Sequence, residues 1–237
     1  GMGELHLEII KERLQREFKV GATVGKPRVS YRQTIMESCS GTGVFDHKFG
    51  ERSQYAEVSV CVEPGSDEGG CEIVNQLSKE DVPLEFHPTV EESLASAVES
   101  GGTLGLPLMR IHVRIIGGGT RQGEASAVAF ATAANAAFDN ALSSAESFVL
   151  EPMMRFEIQV PDEYYGNVST DLNQRRTVIR EVDLEGINRI LRGIVPLAET
   201  FGYTGVLRSL TQGRGTISLE PESYAAVPSE VAARFQL

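Results

Sequence analysis

Apolar residues recur at two different periods along this chain, and the changes of period outline its elements. Leu7, Ile10, Leu14 and Phe18 stand three and four apart with Glu4, Glu8, Lys11, Glu12 and Arg16 between them, which predicts an amphipathic helix. Residues 20–24 read as a short strand, and Gly25-Lys26-Pro27 marks a boundary. Period-two alternation then covers 28–35 and 55–62. In the second run Ala56, Val58, Val60 and Val62 share one face and Glu57, Ser59 and Cys61 the other, the signature of a half-buried strand. Residues 63–70, acidic and glycine-rich, predict a loop, and 90–100 predict a helix stopped by Gly101-Gly102. Met109, Ile111, Val113 and Ile115 alternate with Arg110, His112 and Arg114 in a further strand. Residues 117–123 read as a turn and 124–148 as an alanine-rich helix, with Phe130, Ala134, Ala137, Phe138, Ala141 and Ala145 along one side. Alanines on a buried face predict close packing of this helix on a sheet.

A second domain is expected from about Leu150. Met154, Phe156, Ile158 and Val160 alternate with Arg155, Glu157 and Gln159 until Pro161 ends the strand. A weak repeat follows, with Leu172-Asn173-Gln174 recurring as Leu210-Thr211-Gln212 and, at the same offset of 38, Arg176 on Arg214 and Ile179 on Ile217. Each copy is a helix running into a strand, and each helix follows a strand. Two βαβ units of this kind interleave as a ferredoxin-like split sandwich, a four-stranded antiparallel sheet with both helices on one face.

Composition narrows the chemistry. The 237 residues carry 22 basic and 33 acidic side chains, a net charge of −11. That balance argues against a general grip on nucleic acid, which depends on Lys and Arg displacing counterions, and leaves only local contacts. All nine basic residues from position 149 onward are arginine, whose planar fork suits phosphate or carboxylate. Cys39, Cys61 and Cys71 form no CxxC pair and predict free thiols, and the four histidines show no metal-ligand spacing. Residues 117–123 are glycine-rich but lack the lysine of a phosphate-binding loop. Asp46-His47 reads as a solvated loop rather than a catalytic pair, and no nucleophile elbow is present. With no signal sequence and no apolar run long enough to span a bilayer, the expected setting is cytoplasmic.

Longer runs carry a resemblance. Gly1-Met2-Gly3-Glu4-Leu5-His6-Leu7-Glu8-Ile9-Ile10, then Gly25-Lys26-Pro27 with Val29, Tyr31-Arg32 and Thr34-Ile35, resemble the end of the third and start of the fourth domain of bacterial elongation factor G. Leu150-Glu151-Pro152, Asp171-Leu172-Asn173 with Arg175-Arg176, Pro196-Leu197-Ala198-Glu199, Phe201-Gly202-Tyr203 and residues 207–215 resemble its fifth. The resemblance implies an α+β chain with three parts: 1–24 a remnant of the third domain, 25–148 a ribosomal-protein-like β-α-β fourth domain with a left-handed crossover, and 149–237 a ferredoxin-like fifth. It further implies a C-terminal piece of a GTP-driven ribosomal translocase. GTP and magnesium would belong to a first domain outside this sequence, so the piece itself would have no cofactor and no catalysis of its own. A paralogue acting in ribosome recycling or tetracycline protection remains open, as does a stand-alone ferredoxin-like module holding a small anion.

By that resemblance two tip loops face the decoding region, with tRNA and mRNA as partners. The first has the family pattern Gly-Gly-Arg-Gly-Gln-Tyr-Gly and here reads Gly50-Glu51-Arg52-Ser53-Gln54-Tyr55-Ala56, keeping Arg52, Gln54 and Tyr55 but losing three glycines. The second spans Thr120, Arg121 and Gln122, with Arg121 where the family has a histidine. Arg175, Arg176, Arg208 and Arg214 are the implied contacts to large-subunit RNA.

Overall fold

The computed structural model describes residues 12–19, 28–50, 52–66 and 70–235, with the backbone alone at 49 and 52. Of the amphipathic stripe, Leu14 and Phe18 fall within helical or adjoining backbone and are exposed; Leu7, Ile10, the expected strand at 20–24 and the boundary at 25–27 lie outside the described residues. Backbone proximity divides the chain into a larger unit, Tyr31–Leu150 with Ala226–Leu237, and a smaller one, Glu151–Ala225 with Gly1–Ser30.

In the larger unit, strands β2 (Cys39–Phe49), β3 (Arg52–Pro64), β4 (Cys71–Asn75) and β5 (Ile111–Thr120) form one sheet in the order β2-β3-β5-β4. β4 lies parallel to β5 and the other neighbours are antiparallel. The short β1 (Arg32–Ile35) pairs instead with the start of β6 (Ser147–Pro161), from Arg32 opposite Leu150 to Ile35 opposite Ser147. Helices α1 (His87–Ser100) and α2 (Ala127–Ser143) cover one face of the larger sheet. The alternation in β3 is realised fully, for Ala56, Val58, Val60 and Val62 are all at 0% exposure. They pack with Ile111, Val113 and Ile115 of β5 and with Val90, Leu94, Phe130 and Phe138 of the helices.

Five of the six side chains expected on the inner side of α2 are buried, Ala145 being only partly so. The approach of helix to sheet is closer than alanine alone requires. A Cβ on Gly43 would stand 2.1 Å from the carbonyl oxygen of Ala133 and 2.3 Å from the nitrogen of Ala137; one on Gly41 would stand 2.3 Å from the Ala137 oxygen. The backbones of β2 and α2 are thus in direct contact.

Several expected boundaries move. Residues 117–120 are strand, not turn: β5 continues through them after a bulge that leaves Ile116 outside the pairing of Val60 with Ile115 and Ser59 with Gly117. The bulge reverses the alternation, so Gly118 pairs with Val58 on the covered side. A Cβ there would meet Val82 Cγ2 at 2.7 Å, which gives glycine a packing role rather than a turning one. The turn proper lies between Arg121 and Ser126. Asp46 and His47 belong to β2 rather than a loop, β3 runs on to Pro64, and α2 ends at Ser143, with Ser147 and Phe148 already in β6.

In the smaller unit β6 is followed by α3 (Tyr165–Gln174), β7 (Val178–Glu185), β8 (Asn188–Pro196), α4 (Tyr203–Leu210) and β9 (Thr216–Ala226). The sheet order is β7-β8-β6-β9. Numbered within the unit this is 2-3-1-4, the interleaving of two βαβ units that the repeat predicts. Phe156, Ile158, Val160 and Leu191 form one core with Val168 and Leu172 of α3 and Tyr203 and Leu207 of α4, so both helices lie on one face. Burial pushes up the pKa of the Tyr203 hydroxyl, which has no hydrogen-bond partner among the described residues.

Candidate nucleic-acid interface

One end of the larger sheet collects residues from three stretches of sequence. β2 and β3 close as a hairpin with Phe49 opposite Arg52 and Gly50 at a φ of +64°, a left-handed conformation that glycine adopts without strain. Ser53, Gln54 and Tyr55 are therefore strand residues rather than loop residues, while the side chains of Glu51 and Arg52 lie outside the described set. The end of β5 comes alongside. Thr120 Oγ1 donates to the Tyr55 carbonyl at 2.8 Å, and the Tyr55 N–H donates to the Glu124 carbonyl at 3.0 Å. These bonds bring Tyr55, Thr120, Arg121 and Gln122 to one place.

Arg121 is closely held there. Its NH2 lies 3.0 Å from Asp46 Oδ2, its NH1 3.7 Å from Glu124 Oε2, and its Cζ 3.9 Å from the centre of the Tyr55 ring. The Tyr55 hydroxyl donates to Glu57 Oε2 at 3.0 Å, and that bond is the main reason its pKa is raised; Arg121 works in the opposite direction. Glu124 Oε2 is buried and makes no hydrogen bond among the described residues.

Ser126 ties this end to α2. It is the N-cap in extended conformation, its Oγ accepting from Ala129 N–H at 3.1 Å and donating to Gln54 Oε1 at 3.1 Å. Ser126→Ala is expected to cost about 1 kcal/mol. The measurement is the urea midpoint, which should fall at unchanged slope; an unmoved midpoint would show that the cap contributes nothing.

Asp46, Glu57, Glu124 and Ser126 were not legible as site residues. Asp46 had a signal: counting outward from Gly50-Glu51 along a hairpin sets it opposite Tyr55, which is its observed partner.

In the smaller unit most arginines meet carboxylates. Arg176 forks onto Glu151, NH1 to Oε1 at 2.5 Å and NH2 to Oε2 at 3.1 Å, and its Nε reaches Glu199 Oε1 at 3.1 Å. Arg175 pairs with Asp171 at 2.7 Å, donates to the Glu199 carbonyl and lies over the Tyr203 ring. Arg214 pairs with Glu163 at 2.5 Å and lies over Tyr164. Arg155, Arg180, Arg189 and Arg192 are paired as well. Arg208, exposed on α4, has no such partner among the described residues. Among the described residues no set of three or more His, Cys, Asp or Glu side chains could hold a metal, and no helix is long and apolar enough to cross a membrane.

The larger unit is a four-stranded sheet covered by helices and the smaller one is a split βαβ sandwich. Three consecutive family models match the chain: elongation factor G domain III over 1–26, domain IV over 27–146 and the elongation factor G C-terminus over 148–235. The chain belongs to the elongation factor G family. It is similar to a protein of Thermus thermophilus known from a crystal structure, at 33% identity and a TM-score of 0.86; the match covers 99% of this chain and 35% of that one. No GTPase domain falls within these 237 residues.

Proposed function

We propose that this region binds the ribosome as the C-terminal part of a GTP-driven factor that moves tRNA and mRNA, working in the cytoplasm. The observation that carries the reading is the meeting of the β2–β3 hairpin and the β5–α2 turn at one end of the larger unit, with Arg121 at the junction. Residues 25–148 are then the decoding-region domain and 149–237 the domain that meets the large subunit. Arg52, Ser53, Gln54, Tyr55, Thr120, Arg121 and Gln122 form the RNA-facing tip. GTP and magnesium act in the parent protein, and this part contributes placement rather than catalysis. Of the four arginines assigned to large-subunit RNA, Arg208 offers a guanidinium with no carboxylate partner among the described residues and Arg214 a half-exposed one, whereas Arg175 and Arg176 are held by Asp171, Glu151 and Glu199.

The departures at Glu51, Ser53 and Ala56 favour a second reading within the family, a paralogue used in ribosome recycling or tetracycline protection. Failure of the parent to complement a translocase-deficient strain, with its ribosome-dependent GTPase intact, would decide for the paralogue. The anion-binding module is less supported, because seven of the eight arginines from Arg155 to Arg214 already face carboxylates.

The main reading predicts that Arg52→Glu with Arg121→Glu, placed in the full-length parent, slows messenger movement on the order of tenfold or more, as expected for losing contacts worth about 1–3 kcal/mol each. GTP hydrolysis should hold. Equal rates of movement in variant and parent would overturn the assignment of the tip.

A further inference from the structure

The tip sets charge against role. An arginine offered to phosphate would stand clear of carboxylates, yet the edges of the Arg121 guanidinium face Asp46 at 3.0 Å and Glu124 at 3.7 Å. One flat side lies against Tyr55, since 3.9 Å from Cζ to the ring centre is face contact. That ring is itself fixed by the bond from its hydroxyl to Glu57. The Arg121 side chain nevertheless remains 53% exposed. With its edges against carboxylates and one face on an aromatic ring, the open part is the second flat face.

Resting on the RNA-facing reading of the tip, we propose that Arg121 receives an unpaired nucleobase by stacking rather than a phosphate by charge, and that Asp46 is the positioning residue that holds its plane. Tyr55, Arg121 and the base make three layers. Asp46 neutralises the guanidinium, and Glu57 and Glu124 leave the surroundings negative. Such a field disfavours phosphate but not a neutral base. Guanidinium planes are ready stacking partners for bases that have left a helix, and a lysine cannot replace them in this. Asp46 enters on geometry alone, through its place on β2 opposite Tyr55.

The test is the affinity of the 237-residue chain for bacterial small subunits carrying messenger and tRNA, measured across a salt series. A lost phosphate contact flattens the dependence of log K on log salt by about 0.7 to 0.9. Stacking predicts that Arg121→Gln weakens binding about tenfold, the scale of one lost base stack, at unchanged slope. It also predicts that Arg121→Lys, with the charge but not the plane, weakens binding as much. Asp46→Asn should steepen the slope, because it frees the guanidinium to seek phosphate. If Arg121→Lys restores full affinity, or Arg121→Gln flattens the slope by one contact, stacking is overturned while the RNA-facing tip stands. If Arg121→Gln binds as tightly as the parent chain, stacking is overturned; if Arg52→Glu with Arg121→Glu binds as tightly too, the RNA-facing reading fails with it.

Discussion

Gly43→Ala is expected to destabilise the larger unit by about 3 kcal/mol or more, beyond the usual cost of adding a methyl group to a packed core. The new Cβ would stand 2.1 Å from the Ala133 carbonyl oxygen and 2.3 Å from the Ala137 nitrogen. Both are backbone atoms in the middle of α2, so no side chain can rotate to make room. Relief requires the helix to lift from the sheet, and that would open the contacts of Phe130, Phe138 and Ala141 with β3. Gly119→Ala is the matched control. Its Cβ would meet nothing within 4 Å, and its φ is not left-handed. The control should be neutral or slightly stabilising, because it narrows the unfolded chain's freedom by about 0.4–1 kcal/mol. Urea denaturation of the two variants, followed by circular dichroism, compares them directly. Indistinguishable midpoints would show that β2 and α2 are not in backbone contact.

Arg176→Met carries the second large effect, about 3 kcal/mol in the smaller unit. Glu151 is 2% exposed, and the Arg176 fork holds both of its carboxylate oxygens. The loss follows from a charge left without its counter-ion in a site closed to water, and is larger than what the pair gains over an apolar replacement of both partners. Arg176 also has a φ of +54°, so a change there alters backbone strain as well as charge. Arg176→Gly separates the two: it relieves the backbone and still orphans Glu151. Both variants should lose protection from amide exchange in β6 and β8, while Arg176→Gly combined with Glu151→Gln regains part of it. An Arg176→Gly variant as stable as the parent would show that the buried pair carries no weight.

The fold was legible where alternation was intact. β3, β5 and β6 announce themselves because valine, isoleucine and phenylalanine occupy every second position and turn inward. β2 was silent for a physical reason: its inward positions opposite Val60 and Val58 are Gly41 and Gly43, where α2 comes too close for any side chain. The same residue type misled at 117–119, where glycine serves a bulged strand under Val82 rather than a turn. In the smaller unit the repeat placed both helices and their strands. At the candidate site the resemblance singles out both Arg121 and Tyr55, but not their contact with each other or with Asp46. Asp46 is 75 residues away in sequence and Tyr55 almost as far, and only the pairing of β2 with β3 and β5 unites them. The pair of Arg175 with Asp171, four apart on one helix, could be read from spacing; that of Arg176 with Glu151, 25 apart, could not.

The seam between β2 and α2 also has a mechanical side. Where side chains separate two elements, their rotamers act as a soft spacer that yields under a small push. At Gly41 and Gly43 that spacer is missing, and close-packed backbone resists compression. β2 runs from this seam through Asp46 to the hairpin end at Phe49, and α2 starts at the same end with Ser126. A load applied to the tip therefore enters strand and helix together, and the two bear it as a single stiff beam rather than as layers that slip.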